Sequence, residues 1–161
     1  MPCFRVRLSY IVRIRIVSDA AAVTREDVLL LLVDGADGRY AMDTVRLMKG
    51  AFLVARRGRS QWQGLFNFQA YDYGPFDPRV YDTRDELIHR GLLEPRNGRY
   101  EKYTLTAAGR HRAGSLRRAR GEEAAWIRRI GRYVSTRSFS QLLEEIYAAF
   151  PEFRERSIYR R

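Results

Sequence analysis

The chain has 161 residues, 45% of them hydrophobic and 30% charged, with 12 Gly and 5 Pro. That composition suits one domain with a sizeable core, or a small domain with an appendage, and excludes a disordered or collagen-like chain. Thirty Lys+Arg face 19 Asp+Glu, giving a formal charge of +11 and pointing to an anionic partner. Only Lys49 and Lys102 are lysines, a skew that carries no argument for bidentate phosphate recognition.

Cys3 is the single cysteine, so neither a disulfide framework nor a thiolate metal cluster is expected. His89 and His111 are too few and too far apart for a zinc site of familiar spacing, and no metal or cofactor is expected. Arg13 and Arg15 interrupt the apolar core that a signal peptide would need. No apolar run approaches the ~20 residues that span a bilayer, so the protein reads as cytoplasmic, with no membrane partner.

Residues 4–17 alternate: Phe4, Val6, Leu8, Tyr10, Val12, Ile14 and Ile16 fall opposite Arg5, Arg7, Arg13 and Arg15, the period of a half-buried strand. Thr24-Arg25-Glu26-Asp27 has the form of a helix start, followed by the apolar run Val28 to Val33 and a stop at Asp34-Gly35-Ala36-Asp37-Gly38. A second helix is expected from about Met42 to Arg56, with Val45, Met48 and Phe52 at helical spacing. Gly58 to Gly64 reads as a polar loop. Leu65 to Tyr73 reads as a strand ended by Gly74-Pro75.

Asp77-Pro78 opens a third helix, Asp77 as cap and Pro78 at the first helical position, closed by Gly91. Leu92 to Leu105, turning at Asn97-Gly98, reads as a β-hairpin. Thr106 caps the next helix, and eight arginines lie between Arg110 and Arg132 against Glu122 and Glu123. Ser138-Phe139-Ser140-Gln141 is a capping box for a last helix that Pro151 closes.

This order implies a mainly helical α+β fold: a winged helix-turn-helix over residues 22–112, preceded by a basic strand or extension over 1–21 and followed by a helical extension over 113–161. The third helix would read bases and the hairpin would be the wing. Arg46-Leu47-Met48-Lys49, Phe66-Asn67-Phe68, Tyr71-Asp72-Tyr73-Gly74-Pro75-Phe76 and Asp85-Glu86-Leu87 with Gly91-Leu92 resemble the Panacea (SocA-like) antitoxin domain and the YwgA-like proteins. The resemblance covers roughly residues 24–112. Asp77 stands where that pattern commonly has Ser. The resemblance implies an antitoxin-type module that binds a toxin or adaptor protein.

The residues Tyr73, Gly74, Pro75, Phe76 and Asp77 have a structural role first. Gly74 permits a turn that a β-carbon would obstruct, Pro75 biases Gly74 away from helix, and Phe76 can staple the helix it introduces. The leading functional expectation is a non-enzymatic regulator that binds double-stranded DNA, as a homodimer. Arg79, Arg84 and Arg90 of the third helix, Arg96, Arg99 and Lys102 of the wing, and Arg110, Arg117 and Arg118 beyond it are the candidate contacts. Asp82, Asp85 and Glu86 share the third helix and oppose phosphate. The rival expectation is the protein-binding module. No phosphate-cradling loop, nucleophile elbow or zincin motif supports an enzyme.

Overall fold

The computed structural model describes residues 21–36, 38 and 42–159. The strand expected over residues 4–17 lies outside them. Six helices and two small antiparallel sheets are described: α1 (Arg25–Ala36), β1 (Met42–Asp43), α2 (Thr44–Arg57), β2 (Gln69–Tyr71), β3 (Gly74–Phe76), α3 (Pro78–His89), β4 (Leu93–Arg96), β5 (Lys102–Leu105), α4 (Ala107–Arg120), α5 (Glu122–Ser135) and α6 (Phe139–Ala149). Short 3-10 turns occupy Ser60–Leu65 and Pro151–Arg154. The fold is α+β and mainly helical.

Helix α1 begins where local chemistry dictates. Thr24 Oγ1 accepts from the Asp27 N–H at 3.2 Å while Asp27 Oδ2 accepts from the Thr24 N–H at 3.1 Å, satisfying two donors that the first turn leaves free. Its end departs from expectation: the helix runs through Asp34 and Gly35 to Ala36. The reason is tertiary. Val28, Leu29, Leu31 and Leu32 are fully buried, and α2, α3, α4 and α5 all pack on this helix. An α-carbon substituent at Gly35 would sit 2.1 Å from the Arg128 carbonyl oxygen, and one at Gly131 would sit 2.1 Å from that of Leu32. The α1 and α5 backbones therefore touch at two glycines, and Gly35 serves as packing surface where its composition suggested a terminator.

Helix α2 starts later than expected, at Thr44, because Met42 and Asp43 form a two-residue strand. Asp43 caps the helix by accepting from the Arg46 N–H at 2.9 Å. Strand β1 pairs antiparallel with β5 (Met42 opposite Tyr103) and β4 pairs with β5 (Leu93 opposite Leu105), giving the order β1-β5-β4. The polar loop expected over 58–64 is largely a 3-10 turn with Trp62 buried inside it, its ring 5.8 Å from that of Trp126.

The strand expected over 65–73 is only Gln69–Tyr71, and Gly74-Pro75 does not end it. Gly74–Phe76 folds back as β3, pairing Tyr71 with Gly74 across a two-residue turn at Asp72-Tyr73. Gly74 has φ +84°, where an L side chain is strained. The basic run from Arg110 to Arg132 is two helices broken at Gly121. Ser138 caps α6 with the full capping box, Gln141 completing it.

One core cluster joins residues from Val23 to Phe153, so the segment after residue 113 shares its interior with the elements before it. Phe52 sits at one end of that core, edge-on to Phe68 (5.3 Å), Phe150 (5.0 Å) and Phe153 (4.8 Å), the spacing at which ring quadrupoles attract.

Candidate nucleic-acid interface

Helix α3 is positioned by its cap. The Asp77 carboxylate accepts from the Arg79 N–H at 3.0 Å, from the Asn67 N–H, and from the Arg79 guanidinium at 2.9 Å. Phe76 and Tyr81 meet edge to face at 5.4 Å, the hydrophobic staple expected of Phe76. Burial alone would raise the Asp77 carboxyl; the hydrogen bonds and charge of Arg79 and the Asn67 N–H outweigh it and hold it below the ordinary value. A depressed carboxyl stabilises the fold above its unfolded pKa and loses that contribution as pH falls through the folded one. Asp77→Ala is expected to cost about 1–2 kcal/mol at pH 7 and little at acid pH, measured by urea denaturation at both.

Arg79 and Arg84, expected to read bases, are both paired with carboxylates. Arg79 is spent on Asp77, and Arg84 pairs with Asp85 at 2.7 Å while lying over the rings of Tyr81 (4.9 Å) and Tyr103 (5.4 Å). Only 16% of the Arg84 side chain is exposed. Arg90, at the end of α3, pairs with Glu26 of α1. The exposed residues of this helix include Asp82, Asp85, Glu86 and His89. Its outer face is acidic.

The wing differs. Arg96 leans toward Glu94 at 3.5 Å and bonds Thr104 Oγ1 at 3.3 Å, but among the described residues Arg99 lies only against the ring of Tyr100 (5.8 Å). The Lys102 side chain makes no hydrogen bond or ion pair among the described residues, and the residue is exposed. On α4, Arg110 bonds the Leu105 carbonyl at 2.9 Å and Arg118 bonds Ser115 Oγ at 3.2 Å, neither pairing with a carboxylate among the described residues. Arg117 pairs with Asp34 at 2.8 Å. Of the nine candidate cations, five therefore pair with carboxylates and four make no ion pair among the described residues.

The buried carboxylates of α1 account for much of the basic run. Asp27 draws Arg112 (3.4 Å) and Arg120 (3.8 Å); Asp34 draws Arg117 and Arg128 (2.7 Å). Two acids seven residues apart, one at each end of the apolar run Val28–Val33, are a readable sign that cations must reach them, since buried charge needs a partner.

Lys49 has no comparable signal. It is buried and donates from Nζ to the Pro75 carbonyl at 2.9 Å, holding the inner side of β3. Burial lowers its pKa from 10.5 to about 7. The outer side of the same hairpin is tied to the chain's end: the Ile158 N–H and Ser157 Oγ donate to the Asp72 carbonyl at 3.0 and 3.2 Å.

Beside the β4–β5 hairpin lies a groove of about 850 Å3, lined by Asp43, Arg46, Tyr73, Tyr100, Lys102 and Phe139 among others. Arg46 pairs with Asp43 across one wall and reaches the Arg137 carbonyl at 2.8 Å. Tyr73, at the hairpin turn, is 48% exposed with its ring 5.7 Å from that of Phe139; Tyr100 is 65% exposed.

Among the described residues no group of three His, Cys, Asp or Glu is placed to hold a metal ion, and no helix is long and apolar enough to cross a membrane. Comparison with protein-family models and with characterised proteins gives no match to this chain.

Proposed function

We propose that this chain is a non-enzymatic binding protein of winged-helix type that grips double-stranded DNA through its wing and the outer face of α4. The element order supports the winged-helix reading: helix, short strand, helix, an inserted β2–β3 hairpin, third helix, hairpin, with β1 laid against that last hairpin. The observation that carries the DNA reading is the contrast in cation pairing: Arg99, Lys102, Arg110 and Arg118 make no ion pair among the described residues, whereas Arg79 and Arg84 of α3 are paired with acids. Contacts of this kind go to phosphates and supply affinity without base preference. Homodimerisation, needed to read paired half-sites, is not required by such a grip.

Fluorescence anisotropy with the duplex flanking the protein's own gene and with a scrambled duplex, at several salt concentrations, tests this. Arg99→Ala and Lys102→Ala should each weaken both duplexes alike and reduce the salt slope by about 1. Arg79→Ala and Arg84→Ala should leave base preference unaltered. A preference for the flanking duplex that Arg79→Ala abolishes would restore α3 as a reading helix and overturn this assignment.

The second reading is the antitoxin-type module for a toxin or adaptor protein. The acidic outer face of α3 favours it, because Asp82, Asp85 and Glu86 repel phosphate but suit a basic protein surface. Absence of duplex binding at low salt, together with relief of an adjacent gene product's toxicity by this chain, would establish it in place of the first.

A further inference from the structure

We infer that the groove beside the wing binds single-stranded nucleic acid, its bases stacked on Tyr73 and Tyr100 and its phosphates drawn by Lys102 and Arg99. The inference rests on the wing reading above and goes further, giving the groove on this face an unpaired strand as a ligand besides the duplex. Three features converge. Two tyrosine rings, from hairpins distant in sequence, stand on one groove with about half or more of their surface open to solvent. A folded chain that exposes large aromatic rings on one concave surface leaves apolar area that a flat partner would cover.

The cations adjoin those rings. Lys102 lines the groove without any ion pair among the described residues, and the Arg99 guanidinium lies over the ring of Tyr100. Aromatic faces interleaved with cations are the arrangement by which single strands are held, every base having a π-face and every nucleotide a phosphate. The acids on the same walls are already engaged. Asp43 caps α2 and pairs with Arg46, and Glu101 accepts from the Tyr103 hydroxyl at 2.8 Å. The volume, about 850 Å3, lies within the range of sites that hold small organic ligands and exceeds what one side chain would fill. A duplex keeps its bases stacked inside and has no π-face to offer Tyr73 or Tyr100.

The test uses the full chain and labelled oligo-dT, oligo-U and mixed-sequence duplex, each probe of ~12 nucleotides, by anisotropy at two salt concentrations. Single strands should bind, and Tyr73→Ala and Tyr100→Ala should each lower single-strand affinity about 5- to 150-fold, the span expected for one lost stack. Tyr73→Phe and Tyr100→Phe keep the ring and should keep the affinity. Duplex affinity should change less than twofold in all four variants. Oligo-dT and oligo-U binding alike would mean that backbone and stacking, not the 2′-hydroxyl, set the affinity. Duplex binding without single-strand binding, or single-strand binding indifferent to both alanine variants, overturns the inference and leaves the wing reading standing. Failure of all three probes removes both.

Discussion

Gly131→Ala is expected to destabilise the protein by about 3 kcal/mol, seen as a lower urea midpoint at unchanged slope. The added methyl would lie 2.1 Å from the Leu32 carbonyl oxygen and 2.8 Å from the Leu32 Cα, and both are backbone atoms of a helix with no freedom to yield. The only relief is to push α1 and α5 apart, which would open the packing around Leu32, Ile127 and Val134, all fully buried. Gly35→Ala meets the Arg128 carbonyl at the same distance and should act alike. The double substitution should cost less than the sum, because one separation of the helices relieves both clashes.

Gly114→Ala is the control. Its methyl would meet only guanidinium ends of Arg117 and Arg118 at 3.5 Å or more, ordinary contact in mid-helix. Alanine there should stabilise by ~0.5–1 kcal/mol, from helix propensity and a less disordered unfolded chain. Equal effects at positions 114 and 131 would mean that the two helices are not in backbone contact.

The second large effect is a pH dependence set by Lys49. An amine whose folded pKa is lowered from 10.5 to about 7 carries fewer protons in the folded than in the unfolded chain throughout that interval. Stability therefore rises as pH climbs from about 7, with a slope approaching ~1.4 kcal/mol per pH unit. Below pH 7 the amine is charged in both states and the full burial cost is present. The rise ends near pH 10, because burial also raises the hydroxyls of Tyr103 and Tyr147 above their ordinary 10.0, and a phenol protonated longer in the folded state loses stability beyond that.

Lys49→Met should flatten the profile between pH 7 and 10. At pH 6 it should be more stable than the parent by ~1–3 kcal/mol, the removed charge outweighing a lost hydrogen bond of about 1 kcal/mol to the Pro75 carbonyl. At pH 10 the order should invert. Thermal or urea midpoints across pH 6–10 for both proteins decide it: parallel profiles would place the protonated amine in a site that solvates it.

The same residues mark how far the chain's own text reaches. Helix starts were legible at Thr24, Asp77, Thr106 and Ser138 because a cap is a bond between residues two or three apart, closed by the segment that contains it. The turn at Gly91, the staple of Phe76 and the hairpin about Asn97-Gly98 are local in the same sense. The mainly helical α+β class followed from them.

Tertiary structure decided the rest, and each case has a long-range cause. Asp34-Gly35 has the composition of a stop, yet α5 covers it and the helix continues. Gly74-Pro75 has the composition of a strand end, yet Lys49, 26 residues earlier, holds the Pro75 carbonyl and the segment pairs back on β2. Arg117 reads as an unpaired surface cation, yet Asp34, 83 residues away, pairs with it. The sign of a charge is local, but its partner is not: desolvation makes a buried acid bind whichever cation the fold delivers, and only the fold shows which arginines remain.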